Sequence, residues 1–256
     1  KINTSDLSED RFIAVMVDGV EIAGRSLIAV LGITHDCHKI PLGLREGDTE
    51  NSVVIKDLLT AVGARNFTFH ADRILAVTDG AKAIKKALKD IYGDKVLVQR
   101  CWLHKLRNLQ KYVPQKLHKQ LWWRLKKLVN LTSFDEAKKD MASLIEWLAG
   151  ISIEAESSMK EVGMELLTVH QLGIDGILRK SLYSTNPIES LIFGIRHRLS
   201  RVKNWKSATK KDQIQRWMAS SILAHQKKMN RLHGHKHVGK LIANLKIKVD
   251  SMEKSA

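Results

Sequence analysis

The stretch Arg73 to Asn108, RILAVTDGAKAIKKALKDIYGDKVLVQRCWLHKLRN, decides the fold. Ile74 to Val77 is a short apolar run of buried-strand length, stopped by Asp79-Gly80. Ile84, Ala87, Leu88 and Ile91 then recur at helical spacing, and Gly93-Asp94 ends that helix. Val96 to Val98 is a second short apolar run, followed by a helix that opens on a Cys-x-x-His step, Cys101 to His104. Strand, helix and strand in this order predict a right-handed crossover with parallel strands. Asp79 then falls at the carboxyl end of a strand, where α/β sheets hold their ligands.

Outward from this unit, residues 11–22 read as a central strand because both of its faces are apolar: Phe12, Ala14 and Met16 against Ile13, Val15 and Val17. Asp18 interrupts that run. Short turns lead to strands at Leu27–Ile33 and Ile40–Leu44, which predicts an antiparallel meander. Asn51 to Val62 reads as a helix with Asn51 as its N-cap and Gly63 as its stop. The order through Val98 is βββαβαβ. Beyond it, Leu103–Leu131 reads as helical and strongly basic, and Ser133 with Glu136 as a capping box for the next helix. Little strand character follows before Pro187, so residues 113–183 are expected to be a helical subdomain. The last helix expected is Gln213–Lys228, with Trp217 in the core, and residues from 231 onward form a basic tail.

Composition excludes several classes. No apolar run approaches the ~20 residues of a membrane helix, and two cysteines, Cys37 and Cys101, are too few for a disulfide framework and suit a reducing cytoplasm. The net charge is +16, yet residues 1–100 hold 14 basic and 14 acidic side chains. All of the excess therefore lies in residues 101–256, with 29 basic against 13 acidic, which points to a polyanion partner. Cys101 and His104 make half of a zinc site, but no second Cys/His pair follows at suitable spacing; His233-Gly-His-Lys-His237 reads as exposed tail. Trp205 and Trp217 are aromatic side chains of the kind that stack on an unpaired base.

Three acids stand at the ends of elements, and each has a structural reading of its own. Asp18 fits an Asp-Gly turn, Asp79 a turn or cap, and Glu189 a capping box closed with Asn186 as N-cap and Pro187 at the first helical position. Ile188, Leu191, Ile192, Ile195, Leu199 and Val202 form the apolar stripe of the helix that starts there, and basic residues take its other faces. Jointly the acids and the βββαβαβ order have the layout of an RNase H-like nuclease. The segments Val17-Asp18-Gly19, Val77-Thr78-Asp79-Gly80, Gln99 to Lys105 with Arg107-Asn108, and Thr185-Asn186-Pro187-Ile188-Glu189-Ser190-Leu191 resemble the Mutator-type bacterial insertion-sequence transposases. The resemblance covers about residues 10–225. One departure is Ile192, where many members carry Asn, and it bears on a DNA or active-site contact.

The resemblance implies an Asp-Asp-Glu triad of Asp18, Asp79 and Glu189, a motif role near the centre for Cys101 and His104, and an RNase H-like α/β fold with an all-α insertion. Its divisions are a catalytic core in two parts, residues 1–112 and 184–230, an insertion at 113–183, and the tail at 231–256. In-line attack on phosphorus, by water and then by a 3′ hydroxyl, suits two Mg2+ ions (Mn2+ substituting) roughly 3.5–4 Å apart, with Asp18 shared and Asp79 and Glu189 on one ion each. His104 is expected to orient water or a phosphate, and Cys101 to pack beneath it, with a plain core role for both as the alternative. Lys105, Arg107, Lys111, Arg196, Arg198, Arg201, Lys203 and Lys206 are the expected phosphate contacts, positioning DNA without reading its sequence. The expected function is metal-dependent cleavage at transposon ends and strand transfer into target DNA. Its alternatives are a domesticated DNA-binding or regulatory protein without catalysis, and another RNase H-like nuclease. Double-stranded DNA, a homodimer or higher assembly, no membrane, and a bacterial cytoplasmic, nucleoid-associated location complete the implied picture. A segment for recognising element ends is expected ahead of Lys1.

Overall fold

The computed structural model describes residues 4–22, 25–47, 51–174, 176–200 and 211–246. Five strands form one mixed sheet: β1 (Phe12–Ile22), β2 (Arg25–Thr34), β3 (Lys39–Glu46), β4 (Ile74–Thr78) and β5 (Val96–Arg100), in the order β3-β2-β1-β4-β5. The pairs β1–β2 and β2–β3 are antiparallel, and β1–β4 and β4–β5 are parallel. This is the expected meander joined to the expected crossover unit. All five residues of β4 are buried, as a strand covered on both faces requires.

Helices α1 (Ser52–Gly63) and α2 (Lys82–Tyr92) cover one face of the sheet. Asn51 caps α1 as expected, its Oδ1 accepting from the Val53 and Val54 amides at 3.0 and 3.4 Å. The faces of β1 differ from simple alternation at one place. A register irregularity between Phe12 and Ala14 puts Phe12 with Val15 and Val17 under α1 and α2. Ile13 joins Ala14 and Met16 on the opposite face. An extra residue in a strand shifts the pleat by one position, so the assignment of Phe12 and Ile13 to faces is exchanged relative to strict alternation.

The other face meets the remaining helices: α3 (Trp102–Gln110), α4 (His118–Asn130), α5 (Phe134–Ala149), α6 (Ile153–Val162), α7 (Thr168–Gln171), α8 (Gly176–Leu182), α9 (Asn186–Leu199), α10 (Lys211–Gln226) and α11 (Val238–Leu245). Their buried side chains run continuously into those of the sheet, from Ile13 and Leu75 through Leu125 and Leu144 to Leu241. The helical stretch expected over Leu103–Leu131 is two helices, α3 and α4. Pro114 has no N–H to give, and its ring forces Val113 out of helical backbone, so the chain turns there. The His118 ring closes the break, with Nε2 2.9 Å from the Val113 carbonyl oxygen and 3.1 Å from that of Gln110. Ser133 caps α5 as expected, accepting from the Glu136 amide at 3.3 Å.

The open edge of β5 is occupied by the segment around α7. Gln99 Nε2 donates to the Leu166 carbonyl at 2.9 Å, and its Oε1 accepts from the Val169 amide at 3.0 Å. The Thr168 hydroxyl donates to the Val98 carbonyl at 2.6 Å. Side chains thus replace the missing neighbouring strand.

Through Lys246 the expected basic tail is folded. Leu232, Leu241 and Leu245 are buried, and Arg73 Nη2 donates to the Asn244 carbonyl at 2.8 Å. Apolar residues at helical spacing in VGKLIANL outweigh the charge of the surrounding sequence. Trp217, expected in the core, is 45% exposed instead; Met218 and Ile222 supply the buried side of α10. Val202, Arg201, Lys203, Trp205 and Lys206 lie outside the described residues.

Candidate active site

Parallel pairing sets the first two acids side by side. Val17 stands opposite Thr78, so Asp18 of β1 and Asp79, just past β4, emerge at the same end of adjacent strands. Asp18 Oδ1 accepts from the Gly19 amide at 2.9 Å, and Asp79 Oδ1 from the Ala81 amide at 2.9 Å. Asp18 is 4% exposed. Burial, with the charges of Asp79 and Glu189 adding to it, pushes its pKa up to about 7. Three acids crowded at one point are costly until a cation or a proton is shared among them.

Gly80 adopts φ +102°, a conformation that favours glycine, and the Arg100 guanidinium lies where its Cβ would project. Arg100 is itself 6% exposed. Its Nη1 and Nη2 donate to Glu161 at 3.2 and 3.4 Å, with Glu165 at 3.9 Å, so acids of the helical segment neutralise the cation beneath the Asp79 turn.

The Cys-x-x-His step begins where β5 ends. The Cys101 amide donates to the Thr78 carbonyl at 2.8 Å, which fixes the start of α3 against the end of β4. One turn in, His104 Nε2 lies 3.2 Å from Glu189 Oε1. Arg107 Nη1 is 4.0 Å from the same oxygen and 3.4 Å from His104 Nε2. Cys101 is fully buried, and burial raises its thiol pKa, so it is a neutral packing and hydrogen-bonding group.

Glu189 enters from α9. The N-cap is Thr185 and not Asn186, a shift of one residue. The Thr185 hydroxyl donates to Glu189 Oε1 at 2.9 Å, while the Thr185 amide and hydroxyl lie 3.4 Å from Cys101 Sγ. Asn186 therefore does not close a capping box with Glu189; that carboxylate is turned toward Thr185 and His104. The described contacts of the carboxylate fall on Oε1, and no contact to Oε2 is seen among the described residues. Ile192 is buried in the stripe of α9 and contributes packing.

Asp18, His104 and Glu189 each offer a ligand atom, and these atoms lie within 4.8 Å of one another. Two carboxylates and one imidazole fit a divalent cation such as Mg2+ or Mn2+. Asp79 lies outside this group, close enough for its charge to act on Asp18. The structure thus gathers two of the three expected acids with His104 and sets the third alongside.

The expected phosphate contacts divide. Arg107, Lys111, Arg196 and Arg198 are exposed, and Arg196 Nε donates to the Glu21 carbonyl at 3.2 Å. Lys105 is a correction: it is 3% exposed, with Nζ donating to the Ser158 carbonyl and to the Ser158 hydroxyl at 2.9 Å. Burial and the Arg100 charge pull its pKa down to about 8. Its position on α3 faces the helices, so its ammonium braces α6 and does not reach solvent. Two residues of the site carried no expectation. Both lie inside the motif segments without a role given to them there: Thr185 at position i–4 from Glu189, on one side of the helix, and Arg100 at the close of an apolar strand.

Residues 6–211 match the family described as Transposase, Mutator family. The chain is 26% identical over 204 residues to a transposase for insertion sequence element IS6120 of Mycolicibacterium smegmatis, covering 77% of this chain and 61% of that one. It is 24% identical to a transposase for element IST2 of Acidithiobacillus ferrooxidans, covering 88% of this chain and 76% of that one. A transposase for element ISRM5 of Rhizobium meliloti is 29% identical, with 73% and 46% covered. The chain therefore spans about three fifths of the first relative and under half of the third. With four fifths of its residues inside the family match, the chain belongs to the Mutator family of insertion-sequence transposases.

Proposed function

We propose that this chain carries the catalytic centre of a DNA transposase, cutting a strand at the element's end and joining the freed 3′ hydroxyl to target DNA. The observation that carries the reading is the meeting of Asp18, His104 and Glu189 within 4.8 Å, with Asp79 beside them, in a chain of this family. The strand order β3-β2-β1-β4-β5 with β2 reversed supports an RNase H-like core, and the helices of residues 113–183 support an insertion that shares the core's apolar interior.

Asp18, Asp79 and Glu189, with His104 as an added donor, would hold Mg2+ or Mn2+. The chemistry supplied there, once ions are bound, is activation of the attacking oxygen and stabilisation of the leaving one. The chain's own part is positioning. Thr185 and His104 both engage Glu189 Oε1 and so fix the carboxylate within reach of Asp18. Arg107, 58% exposed at its side chain, stands beside His104 at the solvent side, where it can hold a phosphate of the strand. Lys111, Arg196 and Arg198 extend the cationic track. The partner is double-stranded DNA at element ends and targets, in the nucleoid of a bacterial cytoplasm, and pairing of two ends calls for a homodimer or higher assembly on DNA. Among the described residues, no helix is long and apolar enough to cross a membrane.

The test is strand cleavage and joining on end-containing duplex with Mg2+ or Mn2+. Asp18→Asn, Asp79→Asn and Glu189→Gln should each abolish both activities while DNA binding persists. Binding without cleavage by the unaltered chain overturns the reading.

A further inference from the structure

We propose that Phe193 and His197 on α9 form a stacking platform for a nucleobase of the DNA strand being cut, within about two nucleotides of the phosphate engaged at Glu189. This inference rests on the proposed DNA-cutting centre and names how the strand is held beside it. Phe193 and His197 follow Glu189 by four and eight residues, a spacing that puts all three on one side of the helix. Phe193 is therefore about 6 Å along the axis from Glu189, less than two steps of a DNA strand at ~3.4 Å each.

Phe193 is 70% exposed, although Ile188, Leu191, Ile192, Ile195 and Leu199 of the same helix are all buried. Its burial is not needed to seat α9, so the ring is accessible to a ligand. The Phe193 and His197 rings lie nearly parallel, with an interplanar angle of 15° and centroids 6.3 Å apart. The stacked pair offers its outer ring faces to a further flat ring, a stacking surface on the side of α9 that carries Glu189. Any base has a π-face, so such a surface grips a strand without reading its sequence.

The neighbours select the occupant. Arg196 and Arg198 are exposed on the same helix and Arg107 stands across from Glu189, so an aromatic ligand carrying phosphate is favoured. A second copy of this chain would bring like charge to the same surface, since its +16 lies in residues 101–256.

The probe is a tailed duplex with 2-aminopurine placed in turn at the three terminal positions of the cut strand, bound with Ca2+ in place of Mg2+. Binding should quench the fluorescence several-fold at one or more positions. Phe193→Ala should remove at least half of that quench and weaken binding roughly five- to tenfold, Phe193→Trp should restore both, and His197→Ala should give a partial loss. The exposed position lets each variant fold, which an unchanged thermal melt verifies. Absence of quenching at all three positions, or unchanged quenching in Phe193→Ala, overturns the proposal. So does a change of sedimentation from dimer to monomer in Phe193→Ala with quenching intact, which would assign the face to self-association. The underlying reading fails on a different result: wild-type cleavage of unlabelled duplex by Asp18→Asn and Glu189→Gln.

Discussion

The hydroxyl of Thr185 lies 2.9 Å from Glu189 Oε1, donated from a residue with no exposed surface. Thr185 also rests on Cys101, so the Cys-x-x-His step and the Thr-Asn-Pro-Ile-Glu segment, separated by some eighty residues, meet through one side chain. A buried hydroxyl has few rotamers open to it, and that stiffness passes to the carboxylate.

Thr185→Val, which keeps the volume and removes the donor, should lower metal-dependent cleavage by roughly 10- to 100-fold, the range found for partners that orient metal-site ligands. DNA affinity should hold. Thr185→Ser should recover most of the activity, and a Mg2+ titration of cleavage should show the valine variant needing more metal.

The salt dependence of DNA binding separates the basic residues. Each phosphate contact removed should lower the slope of log affinity against log salt by about 0.9. Arg107→Ala, Arg196→Ala and Arg198→Ala should each do so, measured by fluorescence anisotropy on nonspecific duplex. Lys105→Met should leave the slope unchanged, because that ammonium is held by Ser158 inside the protein.

Gly80→Ala should disturb the Asp79 turn directly. The backbone is at φ +102°, and the added methyl would enter the space of the Arg100 guanidinium. A cost of roughly 1–3 kcal/mol is expected, or a fall in Tm of about 2–12 °C. Pairing it with Arg100→Ala should give less than the sum of the single losses, since the clash would be gone. Thermal melts of the four proteins read this out.

Acid should destabilise the protein through His170. It is 2% exposed, and burial followed by the nearby Arg179 charge pulls its pKa down to about 4. The folded state keeps His170 neutral while the unfolded chain takes up a proton below about 6.5, so stability is lost as pH falls from about 6.5 to 4. The loss is on the order of 3 kcal/mol. Urea unfolding at pH 7, 5.5 and 4.5 should show a shallower decline for His170→Gln than for the unaltered protein.

The architecture was open to sequence reasoning where local pattern and long-range packing agree. Strand positions, the crossover unit and the cap at Asn51 follow from apolar runs and turn residues, and the structure has all of them, although β2, β3 and β5 extend beyond the apolar runs that mark them. The differences come from forces that act across the chain. Nothing near Phe12 marks the irregularity that exchanges it with Ile13. Lys105 reads as surface charge in a basic helix, and only the packing of α6 against α3 shows it facing inward. Trp217 is large and apolar, yet α10 turns Met218 and Ile222 to the interior. At the site, the three acids were recognisable as residue types at element ends. That His104 would join Asp18 and Glu189 within 4.8 Å depends on how α3 and α9 converge, which spacing does not encode.

The closure of β5 by Gln99, Thr168 and the backbone of Leu166 and Val169 has a consequence for any attempt to work with the sheet alone. A shortened chain lacking residues 113–183 would bare a row of unsatisfied amides and carbonyls, free to recruit strands from other molecules, and should precipitate. It would also leave Arg100 as an interior cation stripped of its counterions, next to the turn that aims Asp79. The helical segment thus braces the turn that carries Asp79, and a version of this protein small enough to discard it would have to supply another brace.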